Sequence, residues 1–92
     1  MELEFKKTET GYQAEFVASS DFNIHLEAHK IGDVGVYQRT TSVGEYSFVE
    51  GSRQQGFGKA YDRDFSGVVY PKSIMVKCDN EPTIAEVTFV QI

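Results

Sequence analysis

The residues with the most evident chemical potential are His25, Glu27 and His29, which alternate as His-x-Glu-x-His. On a strand all three point to one face, and imidazoles with a carboxylate make a metal-ligand set. Positions four apart on a strand nevertheless lie ~13 Å from each other, too far for one ion bound ~2 Å from each nitrogen. A solvated strand face is therefore expected there. The single cysteine, Cys78, alternates with Ile74 and Val76, which reads as a small buried hydrophobe. A nucleophilic thiol wants an activating base and an electropositive setting, and neither is legible nearby.

The string GSRQQGFGK invites comparison with a phosphate loop, but Arg53 stands where the motif needs its first glycine. Ala60 also replaces the Mg²⁺-binding hydroxyl. Asp62-Arg63-Asp64 and Asp79-Asn80-Glu81 hold oxygen ligands without the spacing of a calcium loop, so turn chemistry is expected. Paired carboxylates for glycoside hydrolysis need a cleft of ~300 Å³ or more, and so thin a domain is expected to have little room for one. No catalytic residue, metal or cofactor is assigned, and the chain reads as non-enzymatic.

What must position these residues is one small domain. The chain has 92 residues, 40% of them hydrophobic and 13% aromatic, enough to bury roughly 60–70% of the unfolded surface around one thin core. Seven Phe and five Tyr with no Trp favour strands over helices. One cysteine excludes an internal disulfide. The opening MELEFKKTE is charged and lacks the apolar run of a signal peptide, and no stretch approaches the ~18 apolar residues of a membrane span. A cytoplasmic protein without a membrane partner is expected.

The net charge of −5 is unevenly spread. Residues 1–50 are acid-rich, whereas Arg53, Lys59, Arg63, Lys72 and Lys77 meet only Asp62 and Asp64 within their own stretch. The total disfavours nucleic-acid binding through phosphate neutralisation. Head-to-tail contact between copies, or docking on a charged protein surface, fits better.

Period-two alternation runs through most of the chain. The central stretch, Phe22 to Thr40, places Phe22, Ile24, Leu26 and Ala28 on one face; a loop at Ile31-Gly32-Asp33 then pairs Ala28 with Val36 and Arg39 with His25. A turn at Thr8–Gly11, with Gly11 free to take positive φ, pairs Phe5 with Ala14 and Leu3 with Phe16. A turn at Ser19-Ser20-Asp21 pairs Phe16 with Ile24, unless the chain crosses between sheets there. The fifth strand, EYSFVE, aligns Phe48 with either Tyr37 or Val36. Pro71 marks a strand start, edge or bend. A loop at Asp79–Pro82 pairs Ile74 with Val87 and Val76 with Ala85. The expected fold is an antiparallel β-sandwich of seven to eight strands over residues 1–92, in a jelly-roll or immunoglobulin-like order.

Alternation turns Val17, Tyr37, Val69 and Met75 outward, joined by Phe48 or Val49. A contiguous apolar patch on a small domain suggests a partner. The stretch Gly51–Gly67 is irregular and long enough to have a role of its own, and in it Phe57, Tyr61 and Phe65 recur at spacing four. The residues expected to touch a partner are Val17, Tyr37 and Met75 on the outer face, with Arg53, Phe57, Lys59, Tyr61 and Arg63 in this stretch, because aromatic and Arg side chains supply most contact energy. Stacking of Phe57, Tyr61 and Phe65 on sugar rings is the alternative, a carbohydrate-binding module.

In the GDVGVYQRT hairpin (Val34, Val36, Tyr37, Gln38) and the later runs containing Tyr70, Pro71, Thr83, Ala85 and Val87, the chain resembles the small β-sandwich accessory proteins of tailed-phage virions. The capsid-decorating proteins of crAss-like phages are among them. The resemblance spans Phe22 to Phe89 and lies in strand and turn texture. It implies a non-catalytic virion component, assembled in the host cytoplasm and seated on a lattice of major capsid protein or of its own copies. It carries over no site residues.

Overall fold

The computed structural model describes residues 1–39, 44–55, 58–66 and 71–90. Among the described residues there are eight strands: β1 (Lys6–Thr8), β2 (Gly11–Ala18), β3 (Phe22–Glu27), β4 (Val34–Arg39), β5 (Ser47–Phe48), β6 (Ala60–Phe65), β7 (Lys72–Cys78) and β8 (Ile84–Phe89). Among the described residues there is no helix. All pairings are antiparallel, in a five-stranded sheet ordered β1-β2-β7-β4-β5 and a three-stranded sheet ordered β6-β3-β8. Their inner faces meet on one core, a sandwich-like arrangement. Phe16 of the larger sheet packs edge-on against Phe22 and Phe89 of the smaller, at 5.3 and 6.2 Å between ring centroids. Ile24, Leu26, Val36, Val76 and Val87 fill the middle.

Two local registers match expectation. β1 meets β2 with Lys6 opposite Gln13 and Thr8 opposite Gly11, the expected register, in which Phe5 falls level with Ala14. Gly11 takes φ 142°, and a Cβ there would stand 2.6 Å from the Cys78 carbonyl oxygen, so the position requires glycine. β5 meets β4 with Phe48 opposite Tyr37, the first of the two alternatives. Pro71 immediately precedes β7, a strand start as expected.

Four other expected pairings differ. Phe16 does not pair with Ile24, because the Ser19–Asp21 turn crosses between sheets, the alternative already open in the sequence. Ala28 does not pair with Val36, nor Arg39 with His25: β3 belongs to the smaller sheet and β4 to the larger, where Val36 lies opposite Val76 and Arg39 opposite Ser73. Likewise β7 and β8 separate, so Ile74 pairs with Phe16 and Val87 with Ile24. Leu3 also leaves Phe16. Its N–H donates to the Ala85 carbonyl at 3.0 Å, and Met1 and Val87 exchange backbone bonds of 2.8 and 2.9 Å. Met1–Leu3 thereby borders β8, while β1 borders β2.

The seam beside β4 is closed by the stretch after β5. Val34 and Gln54 exchange backbone hydrogen bonds of 2.9 Å, and the Gln54 side chain donates to the Ala60 carbonyl at 2.9 Å. Ser52 is buried. Its Oγ donates to the Val49 carbonyl at 2.6 Å and accepts from the Val36 N–H at 3.2 Å. Tyr61 is fully buried, with its hydroxyl donating to the Ser52 carbonyl at 2.6 Å. Among the described residues no helix is long and apolar enough to cross a membrane.

Candidate functional site

Residues opposite one another in a ladder project to the same side of the sheet. The pairings Glu15–Met75, Met75–Tyr37 and Tyr37–Phe48 therefore lay one outward row across the larger sheet. Val17, opposite Ser73 in the next row, is 64% exposed, and Phe48 is 42% exposed. Tyr37 is half-buried, its ring edge-on to Phe48 at 5.6 Å between centroids. Met75 also points outward but is only 8% exposed and lies outside the core cluster. It is the covered floor of the patch, a correction to its expected role as an exposed contact.

Cations flank this row. Lys77, one position along β7's outer side, holds its Nζ 5.2 Å from the centre of the Tyr37 ring. Arg39, on the other side of Tyr37, lies 4.5 Å from the centre of the Tyr46 ring and donates to the Gly44 carbonyl at 3.2 Å. Gly35 sits opposite Lys77 and leaves a gap where a side chain would stand. Above it an open groove of about 430 Å³ runs from Tyr37 and Phe48 past Lys77 to Arg53, Asp33 and Asp79. A second open groove, about 490 Å³, separates Met1–Glu4 from the Ala14–Phe16 flank of β2. Both exceed the room expected of so thin a domain, because sheet-switching at Leu3 and a glycine in β4 each leave a trough on the surface.

The residues expected to make contact in the irregular stretch do not gather in one place. Arg53 is exposed and joins the groove, pairing with Asp33 at 3.2 Å. Lys59 is exposed, just before β6. Tyr61 faces the core, and its burial pushes the phenol up to about 12, so it presents no face to a protein or a sugar. Phe65 is likewise turned inward, stacked on Phe22 at 5.0 Å. Arg63 is on the same inward side of β6, its guanidinium 5.6 Å from the centre of the Tyr61 ring and donating to the Gly51 carbonyl at 3.0 Å. It closes the sandwich end instead of reaching a partner. Phe57 and Val69 lie outside the described residues. The structure thus brings Val17, Tyr37, Met75 and Arg53 to one side and disperses Lys59, Tyr61 and Arg63. Sequence reasoning missed Lys77 and Gly35, whose place beside Tyr37 depends on β7 lying between β2 and β4.

The outer face of the smaller sheet is acidic. Glu2, Glu86, His25 and Asp62 form its middle row, with Glu27 and Asp64 beside it. His25 is bridged on both sides, Nε2 to Glu27 at 2.8 Å and Nδ1 to Asp62 at 3.0 Å. The hydrogen bond with Glu27, then that with Asp62, raises its pKa above 6.5. Asp62 is held below the usual carboxylate range, first by the Asn23 amide at 2.7 Å and then by His25. His29 falls beyond the end of β3, and Asp62 takes the partner role expected of Arg39. Among the described residues no group of three or more His, Cys, Asp or Glu side chains is arranged to hold a metal ion. Cys78 is buried as expected. Its Sγ donates to the Asn80 carbonyl at 3.1 Å, and burial, helped by Asp79 and Glu81, pushes the thiol up to about 12. At neutral pH it supplies no thiolate.

Comparison with protein-family models, curated proteins and solved structures finds no match to this chain.

Proposed function

We propose that the protein is a non-enzymatic structural component that docks on a protein surface through the outer face of its five-stranded sheet, in the manner of a phage protein decorating a capsid lattice. The observation that carries this reading is the row Met75–Tyr37–Phe48 with Val17 beside it. These are large apolar groups on the solvent side of a sheet, flanked by Lys77 and Arg39. Such a patch, centred on an aromatic pair and rimmed by charge, has the make-up of an interface core with its rim. Strand order adds support. β2-β7-β4-β5 faces β6-β3-β8 with Met1–Leu3 bordering β8, an order we read as a jelly roll, the double Greek key used by viral capsid and lectin domains. Fold alone does not assign function, so the patch carries the weight. The side chains that might have served chemistry are otherwise occupied: Cys78 stays a buried thiol, and His25 bridges two carboxylates.

The test is retention on purified particles that carry the chain. Replacing Tyr37 and Phe48 together by Ser is expected to release it from them, while His25→Gln on the opposite face leaves it bound; release by neither change overturns the reading. A second reading rests on the groove above Gly35, where Tyr37 and Phe48 meet Arg53, Asp33 and Asp79. Aromatic edges beside paired charges suit a saccharide. Saturable glycan binding by the monomer, lost with Phe48→Ser, would favour it.

A further inference from the structure

The two outer faces differ in charge, acids lying in the middle row of one and cations flanking the middle row of the other. On the smaller sheet, Glu2, Glu27, Asp62, Asp64 and Glu86 surround a single imidazole, and His25 is already bridged by two of them. On the larger sheet, Lys6, Lys77 and Arg39 share the outward side with Glu15, while at the far end of the groove Arg53 pairs with Asp33 beside Asp79. The two middle rows match in length. Each middle row crosses four chain segments, Glu2–Glu86–His25–Asp62 in one sheet and Glu15–Met75–Tyr37–Phe48 in the other. At ~4.8 Å between neighbouring strands both rows are ~14 Å long. Ile84, 44% exposed and on the same outward side as Glu27, gives the acidic face an apolar point of its own.

We infer that the occupant of the aromatic, cationic face is the acidic face of a second copy of this chain. This deepens the docking reading above and rests on it. The surfaces in contact differ, so the interface is heterologous. Each copy keeps one face free, and assembly continues into a ring or an open row instead of stopping at a pair. The cations beside Tyr37 meet Glu86 and Asp62 of the neighbour, fixing orientation, while the apolar row loses its remaining water. The overall charge of −5 opposes contact at long range, so growth begins only at high local concentration, as on a lattice.

Sedimentation velocity across a concentration series tests this with two multiple variants. One, Tyr37→Ser with Lys77→Glu, has only the acidic face intact; the other, Asp62→Lys with Glu86→Lys, has only the aromatic face intact. The substituted positions are outside the core cluster, and circular dichroism checks that each variant folds. Wild type is expected to grow past a dimer as concentration rises. Each variant alone is expected to associate at least tenfold more weakly than wild type, and an equimolar mixture to form a 1:1 dimer that grows no further, because it has one intact interface and two blocked ends. A wild type that stays monomeric up to about 1 mM overturns the inference, and so does a dimer indifferent to Asp62→Lys with Glu86→Lys. In either case, release from particles by the Tyr37 and Phe48 substitutions would leave the docking reading standing by itself.

Discussion

The outer face of the five-stranded sheet and that of the three-stranded sheet lie over the same core and are built from the same alternation, yet they treat water differently. On the smaller sheet the outward positions are mostly carboxylates, an amide, a hydroxyl and an imidazole, with Ala60 and Ile84 at one end, and the polar groups are tied to one another by contacts such as Asn23 to Asp62 and Asp64 at 2.7 and 2.9 Å. On the larger sheet Met75 is as covered as core Phe16, each 8% exposed, although its side chain is on the outward side of the sheet. The apolar side chains there have already begun to exclude water, while Phe48 at the end of the row and Val17 in the next row stay exposed. In the reading proposed above, the larger sheet's outer face is the one whose burial by a partner would gain the more hydrophobic free energy. The smaller sheet offers charge around one exposed apolar side chain, Ile84.

Mutations can sharpen this contrast. The largest effect belongs to β6, where neighbours in sequence face opposite ways. Tyr61→Ala is expected to cost about 3–5 kcal/mol in urea denaturation, whereas Asp62→Ala, whose side chain is exposed, stays close to wild type. Next is Met75→Ala, expected to cost about 1–3 kcal/mol, less than a fully enclosed Met but well above Asn23→Ala on the opposite face. Equal losses at Met75 and Asn23 would break the comparison. Gly35→Ala places a Cβ 3.5 Å from the Tyr37 ring and 3.6 Å from Phe48, ordinary contact without positive φ. A gain of about 0.4–1 kcal/mol is expected from reduced freedom of the unfolded chain, read as a higher Tm, with the groove above it partly filled.

The smallest effect is the pH response of the acidic face. His25 has a folded pKa raised by Glu27 and Asp62, so its bridge contributes fully below 6.5, the unfolded value, and the contribution fades as pH rises through the raised folded value. Wild type should therefore lose stability relative to His25→Gln across that window. Parallel stability curves would show that the bridge is not a feature of the folded face.

How much of this was legible in the sequence follows from whether two successive strands share a sheet or face each other across the core. The β1–β2 register could be read because a short connection and strict alternation leave few ways to align Thr8 with Gly11, whereas β4–β5 stayed open between Tyr37 and Val36 opposite Phe48, and the structure takes the first. The pairings Ala28–Val36 and Ile74–Val87 satisfied the same criterion, apolar side to apolar side, and are absent. In a two-sheet body both strands can turn their apolar sides inward while facing each other across the core, so agreement of faces does not distinguish neighbours from opposites. Tyr61 and Phe65 show a second ambiguity. Spacing of four suits a helical turn, but it is also two steps of a strand, and Asp62 and Asp64 between them were the sign that aromatic and acid occupy opposite sides. Tyr37 and Val17 were placed outward correctly because alternation alone decides that. Lys77 joined them only once β7 was known to separate β2 from β4.

Hydroxyl-radical footprinting of the assembled protein against the dilute chain tests the central claim most directly, because it reads solvent access at Tyr37, Phe48 and Met75 individually. The account predicts strong protection of Phe48 and Tyr37 on assembly, little change at Met75, which is covered in the monomer, and none at buried Tyr61. Equal labelling of Phe48 and Tyr37 in both states, at concentrations where assembly is complete, would contradict it.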